Sequence, residues 1–192
     1  MGQKRVKIAI MVATASEDIE VIVPTDLWRR SGMIVELISI EKKNTVVLQS
    51  GTKISCNSTI DKTNLSQYTA IYMPGGEGHL KYLDIKANPK LRKNLEKDFL
   101  NNKDKYIIAM CATPSVLIEW DLIKNRKFTC YPGFGDKLKK NYVDKPFHVD
   151  GTLITGRSPG STFEFSLKVV ETLISEEARK KLEKQIIYGK AK

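Results

Sequence analysis

Cysteine and histidine are sparse in this chain of 192 residues, and their placement excludes more than their scarcity does. The three cysteines, Cys56, Cys111 and Cys130, are odd in number and form no CxxC, so no disulfide framework is encoded and a reducing, cytoplasmic setting is expected. The two histidines, His79 and His148, lie far from each other and from any paired cysteine, so no metal is expected. Folding can bring distant single ligands together, so this argues mainly against a local ligand motif. No apolar stretch approaches the ~18 residues of a membrane span. Internal repeats, low-complexity tracts and linkers are also missing, and a single domain over residues 1–192 is expected.

Charge of one sign is in excess, at +10, but it lacks the organisation of a nucleic-acid surface. Lysine is scattered along the chain, no run reaches five basic residues, and arginine, the better phosphate fork, is scarce. Aromatics, 8% of the chain, do not alternate with the lysines as on a base-stacking surface. A solvated lysine face is the expectation, with neither a nucleic-acid nor a membrane partner. Basic residues followed by an apolar run, then Ala13-Thr14-Ala15, have the outline of a signal peptide. The run is short and β-branched, however, and leads into Glu17 and Asp18, so a first buried strand followed by a helix start is predicted.

What is present is an alternation of short apolar strands and helical patterns, the sign of a parallel α/β sheet. Strands are predicted over 6–13, 34–40, Ala70–Met73, Tyr106–Met110, 127–130 and 153–155, with a hairpin of 46–49 and Lys53–Ser55. Helices are predicted over 17–30, 114–120, 160–174 and 175–188. A longer one begins at Asn88-Pro89, with Asn88 as N-cap, and runs to about Asn102.

Ligands of such sheets bind beyond the carboxyl ends of the strands. Cys111 falls there, between an apolar strand and the helix opened by Pro114. That is the setting of a nucleophile elbow, where helix dipole and amides favour thiolate. A small buried hydrophobe is the competing reading, and Cys56 and Cys130 are given it. Glu20 has apolar residues at i+3, i+4 and i+7 (Val23, Pro24, Leu27), which turns its carboxylate toward the core. The alternative, a helix-start glutamate, is weakened because Glu17 and Asp18 already serve that end. Gly75-Gly76 offers bare amides for an oxyanion, or a plain turn. Arg157 either binds an anion or ties loops together.

Together Glu20…Pro24…Asp26, Arg29-Arg30-Ser31-Gly32, Met73-Pro74-Gly75-Gly76, Ala109-Met110-Cys111-Ala112 and the stretch from Ser158 to Phe165 resemble the ThiJ/PfpI superfamily, over about residues 7–173. Within it they are most similar to the parkinsonism-associated (DJ-one-like) branch. The resemblance implies a flavodoxin-like three-layer α/β sandwich with a mostly parallel sheet, and a homodimer. It implies a reactive Cys111 bonded to a protonated Glu20, an oxyanion site at the amides of Gly76 and Ala112, and Arg30 approaching across the dimer. It also implies a cofactor-free glyoxalase or deglycase acting on small 2-oxoaldehydes such as methylglyoxal, or alternatively an oxidative-stress sensor or redox chaperone. Three departures stand out. Tyr131-Pro132 replaces a His-Pro pair, which removes a Cys–His dyad and with it the basis for protease or amidase chemistry. Thr113 stands where the elbow often has glycine. Gly51 occupies the place of a common pocket arginine. His79, just past Gly76, is expected as a surface histidine at a helix start.

Overall fold

The strands read as near-continuous apolar runs because both faces of the sheet are covered. In β1 (Lys7–Val12) the side chains alternate in destination. Ala9 and Met11 join one core layer, while Ile8, Ile10 and Val12 join the other. The computed structural model describes residues 5–84 and 89–189.

After β1 come α1 (Asp18–Arg30), β2 (Ile34–Ser39), the two-stranded antiparallel ribbon of β3 (Thr45–Val47) and β4 (Lys53–Ser55), and β5 (Ser58–Thr59). Next follow β6 (Ala70–Met73), α2 (His79–Leu83), α3 (Pro89–Asn94), β7 (Tyr106–Met110) and α4 (Pro114–Glu119). The chain closes with β8 (Phe147–Asp150), β9 (Leu153–Gly156), α5 (Thr162–Leu173) and α6 (Glu176–Gln185). Among the described residues seven strands form one sheet in the order β5-β2-β1-β6-β7-β9-β8, parallel except for the β8–β9 pair. Residues of α2, α3 and α4 pack on one face and those of α1, α5 and α6 on the other, giving the three-layer flavodoxin-like sandwich. Strand order reverses between β1 and β6, so the crevice beyond their carboxyl ends is the topological switch point.

Three expectations change. Residues 127–130 form no strand; Phe128 makes one isolated bridge, to Tyr142. The edge of β9 is occupied instead by antiparallel β8, and Thr129 satisfies its polar groups through Thr155 Oγ1 (2.9 Å) and the Lys145 carbonyl (2.9 Å). The long helix passes at Leu95 into a π-helical turn, Leu95–Phe99, where Leu100 N–H reaches back five residues to the Leu95 carbonyl. Its proposed N-cap, Asn88, lies outside the described residues. The last two helices are shorter than expected because Pro159–Ser161 forms a separate 3-10 turn and Ser175 caps α6 from outside. Among the described residues no helix is long and apolar enough to cross a membrane.

Candidate active site

Cys111 is the first residue after β7, and its backbone is left-handed at φ 60°. A side chain held there costs of order 1–3 kcal/mol, so the surroundings must over-determine it. They do so with backbone hydrogen bonds. Cys111 N–H donates to the Gly156 carbonyl on β9 (3.0 Å), Tyr131 N–H donates to the Cys111 carbonyl (2.8 Å), and Thr113 N–H closes on Met110 (3.0 Å). Pro114 then opens α4 at once. The result is a sharp elbow that leaves Cys111 8% exposed.

Glu20 meets that sulfur from α1. The Glu17 carboxylate caps the helix by accepting the Glu20 N–H at 2.8 Å, so Glu20 is free of the capping role and turns inward to full burial. Pro24, four residues on, has no N–H to offer the Glu20 carbonyl. The buried hydroxyl of Tyr72, on β6, donates to that carbonyl instead at 2.9 Å. Tyr72 was not singled out in the sequence; a proline at i+4 from a buried carboxylate was the available signal.

The Pro74-Gly75-Gly76 turn completes the site. Gly75 N–H donates to Glu20 Oε2 at 2.7 Å. A methyl group on Gly75 would lie 2.6 Å from Cys111 Cβ and 2.9 Å from Glu20 Oε2, so only glycine permits this approach. Gly76, at φ 80°, and Ala112 aim their backbone N–H groups at the Cys111 sulfur. Glu20 Oε1 is buried without a hydrogen-bond partner of ordinary geometry among the described residues, and the thiol is the group with which the carboxyl interacts.

Burial drives the ionisation of this pair. Desolvation pushes Glu20 up to about 7 against the lowering effect of the Gly75 amide and the thiol. Desolvation and the negative charge of Glu20 push Cys111 up to about 12, with the Gly76 and Ala112 amides opposing. Each group resists ionising beside the other, so their ionisations are linked. A carboxyl with one oxygen on an amide and the other unpartnered suits an O–H directed at a thiolate.

The remaining predicted residues are placed differently. Arg30 lies ten residues beyond Glu20, about 15 Å along the helix, and pairs with Asp26 at 2.7 Å on the exposed side. Within one chain it is not brought to Cys111. Arg157 follows Gly156 but turns its guanidinium to Asp144 (3.1 Å), tying loops together above a cleft lined by Pro132, Gly133 and Tyr142. Gly51 turns the β3–β4 ribbon at φ 95°. Its neighbour Gln49, unremarked in the sequence, accepts the Glu77 N–H at 2.9 Å and so braces the glycine turn. His79 does begin α2, and its Nδ1 also lies 2.8 Å from the Gly76 carbonyl. Its ring meets Phe134 edge-on, and Phe134 meets Tyr131 in the same way. Among the described residues no cluster of three or more His, Cys, Asp or Glu is placed to hold a metal.

The model of the DJ-1/PfpI family matches residues 6–172. An uncharacterized protein of Mycoplasma pneumoniae is 34% identical over 182 residues, 92% of this chain and 86% of that protein. DJ-1 homolog B of Arabidopsis thaliana is 32% identical over 181 residues, which are 92% of this chain but 40% of the plant protein. The solved structure of oxidized Toxoplasma gondii DJ-1 superposes with a TM-score of 0.84 at 30% identity, covering 96% of this chain and 100% of that one.

Proposed function

The chain belongs to the DJ-1/PfpI family, and from that premise we propose that it is a cofactor-free glyoxalase of the glyoxalase/deglycase type, converting small 2-oxoaldehydes such as methylglyoxal to 2-hydroxy acids. The observation that carries this reading is the buried Glu20 carboxyl, gripped on one oxygen by Gly75 N–H and turned with the other toward Cys111. One residue then supplies both an acid and a base beside a nucleophile.

The steps balance without a metal or a second thiol. Cys111 thiolate attacks the aldehyde carbon, and the alkoxide, steadied by the Gly76 and Ala112 amides, takes the Glu20 proton to give a hemithioacetal. Glu20, now a carboxylate, removes the hydrogen left on that carbon as a proton, giving an enediolate. It returns the proton to the adjacent carbon while the hydroxyl proton passes from the first oxygen to the second, and the product is a thioester of the 2-hydroxy acid. Water cleaves the thioester, releasing lactate from methylglyoxal and restoring the pair. Overall one water is consumed and no electrons leave the substrate. The protein should therefore turn over methylglyoxal without glutathione, and Cys111→Ser should abolish it; a wild-type protein with no turnover overturns the reading.

A second reading is favoured by the oxidized state of the Toxoplasma relative. Two equivalents of peroxide, reduced to water, would take Cys111 to a sulfinate that Glu20 O–H and the two amides hold. Peptide mass mapping after mild peroxide should then find oxygen on Cys111 before Cys56 or Cys130.

The protein is placed by this reading in a reducing, cytoplasmic compartment, in keeping with its three free cysteines. It is also read as a homodimer. Ile19 and Ile22 stand exposed on α1, and on the neighbouring α5 the exposed Phe163 stacks on Tyr188, apolar surface suited to a second copy. Sedimentation at micromolar concentration should give twice the mass of the chain.

A further inference from the structure

Thr113 is fully buried and its hydroxyl donates to the Pro74 carbonyl at 2.7 Å. The N–H of the same peptide unit, that of Gly75, donates to Glu20 Oε2, also at 2.7 Å. One amide plane is thus held from opposite ends, by a hydroxyl on the elbow and by a carboxyl on α1. The rest of the turn is pinned as well: the Gly75 carbonyl accepts Glu17 N–H at 3.1 Å and the Gly76 carbonyl accepts His79 N–H at 3.2 Å.

From this we infer that Thr113 is a positioning residue for Glu20, acting through the Pro74–Gly75 peptide unit. A hydroxyl donating to an amide carbonyl polarises that amide and strengthens its N–H as a donor. It also fixes the plane of the amide, and so the direction of the N–H toward the carboxyl. Thr113 therefore couples the elbow that carries the nucleophile to the group that exchanges protons with it. The inference rests on the proposed Cys111–Glu20 pair, and it is tested without turnover so that the two readings fail separately.

The groups facing Glu20 are few. Glu17 approaches from its own helix cap, Cys111 from the elbow, Tyr72 from β6 and Tyr82 from α2. None is a cation, so the Gly75 N–H is the main donor favouring ionised Glu20. Weakening it makes the first proton leave the pair at higher pH.

The experiment is the rate of Cys111 alkylation by iodoacetamide between pH 5 and 9, read by peptide mass. Thr113→Val removes the hydroxyl and keeps the shape. It should raise the apparent pKa of alkylation by roughly half a unit to one unit. Thr113→Ser, which restores the donor, should return the profile to that of wild type. A folded Thr113→Val protein with the wild-type profile overturns the proposal, and so does an equal shift in the Val and Ser variants, which would assign the effect to altered packing at position 113. Should Thr113→Val fail to fold, Thr113→Ala takes its place with the same two outcomes. Absence of methylglyoxal turnover leaves the alkylation profile readable.

Discussion

Cys111 and Cys130 are both buried, both have a thiol pushed up to about 12, and both lie near an acidic residue, Glu20 and Asp136 respectively. Burial is the leading cause in each. What surrounds the sulfur is not the same. Around Cys130 burial and the charge of Asp136 both oppose the thiolate, with Gly135 packed close above. Around Cys111 two amides stabilise the anion, the backbone is turned to φ 60°, and the carboxyl is itself raised to about 7. Ionised, Glu20 opposes the thiolate; protonated, it is a donor to it. On the proposed reading, a raised thiol pKa does not by itself mark an inert cysteine. What decides is whether the neighbouring acid can hold the proton that the thiol gives up.

The largest expected effect separates the two cysteines. Cys111→Ser should reduce methylglyoxal turnover to the level of buffer, while Cys130→Ser should leave turnover per folded molecule unchanged. Stability should sort them the other way, because a serine hydroxyl at position 130 enters an apolar site and costs about 1–3 kcal/mol, measurable by urea unfolding. Equal loss of turnover in both variants would erase the distinction.

Glu20→Gln sharpens the comparison from the side of the acid. The amide cannot transfer the proton, so turnover should fall about 10²–10⁴-fold, with folding and alkylation at Cys111 retained. Full turnover in a folded Glu20→Gln protein would remove Glu20 from the mechanism.

The same variant exposes the cost of keeping a carboxyl neutral. Glu20 is raised in the folded state, so its contribution to stability is fully present below about pH 4.5 and is lost as pH rises toward about 7. Wild type should lose about 3 kcal/mol relative to Glu20→Gln across that window, in urea melts from pH 4 to 8. Parallel profiles would mean that folding does not shift Glu20.

The smallest effect is expected away from both thiols. Arg30 and Asp26 form an exposed i,i+4 pair, so Arg30→Ala should change the melting temperature by no more than about a degree when protein concentration is held fixed. A larger drop, growing as the protein is diluted, would place Arg30 in a subunit contact.

Much of this architecture follows from local pattern. Apolar runs such as 8–13 and Tyr106–Met110 can be buried on both faces only in a covered parallel sheet, and the helical apolar positions around Glu20 had to turn it inward. The elbow at Cys111 was legible because a buried strand that meets Pro114 four residues after Met110 has little room to turn. The 127–130 segment misled because its residues suit a strand, while pairing depends on which segment reaches the edge of β9 first in space, and β8 does.

Residue types and their spacing therefore determined the layers, the strand-end crevice and the placing of Cys111 and Glu20 at it, since burial periodicity and turn chemistry act over a few residues. The tertiary structure decided what those side chains touch. Tyr72 supplies the donor that Pro24 withholds, Thr113 reaches Pro74 across 39 positions of sequence, and Arg157 goes to Asp144. Each of these is a hydrogen bond or ion pair between segments distant in the chain, and such contacts are set by the register and packing of the sheet, not by anything a residue's sequence neighbours encode.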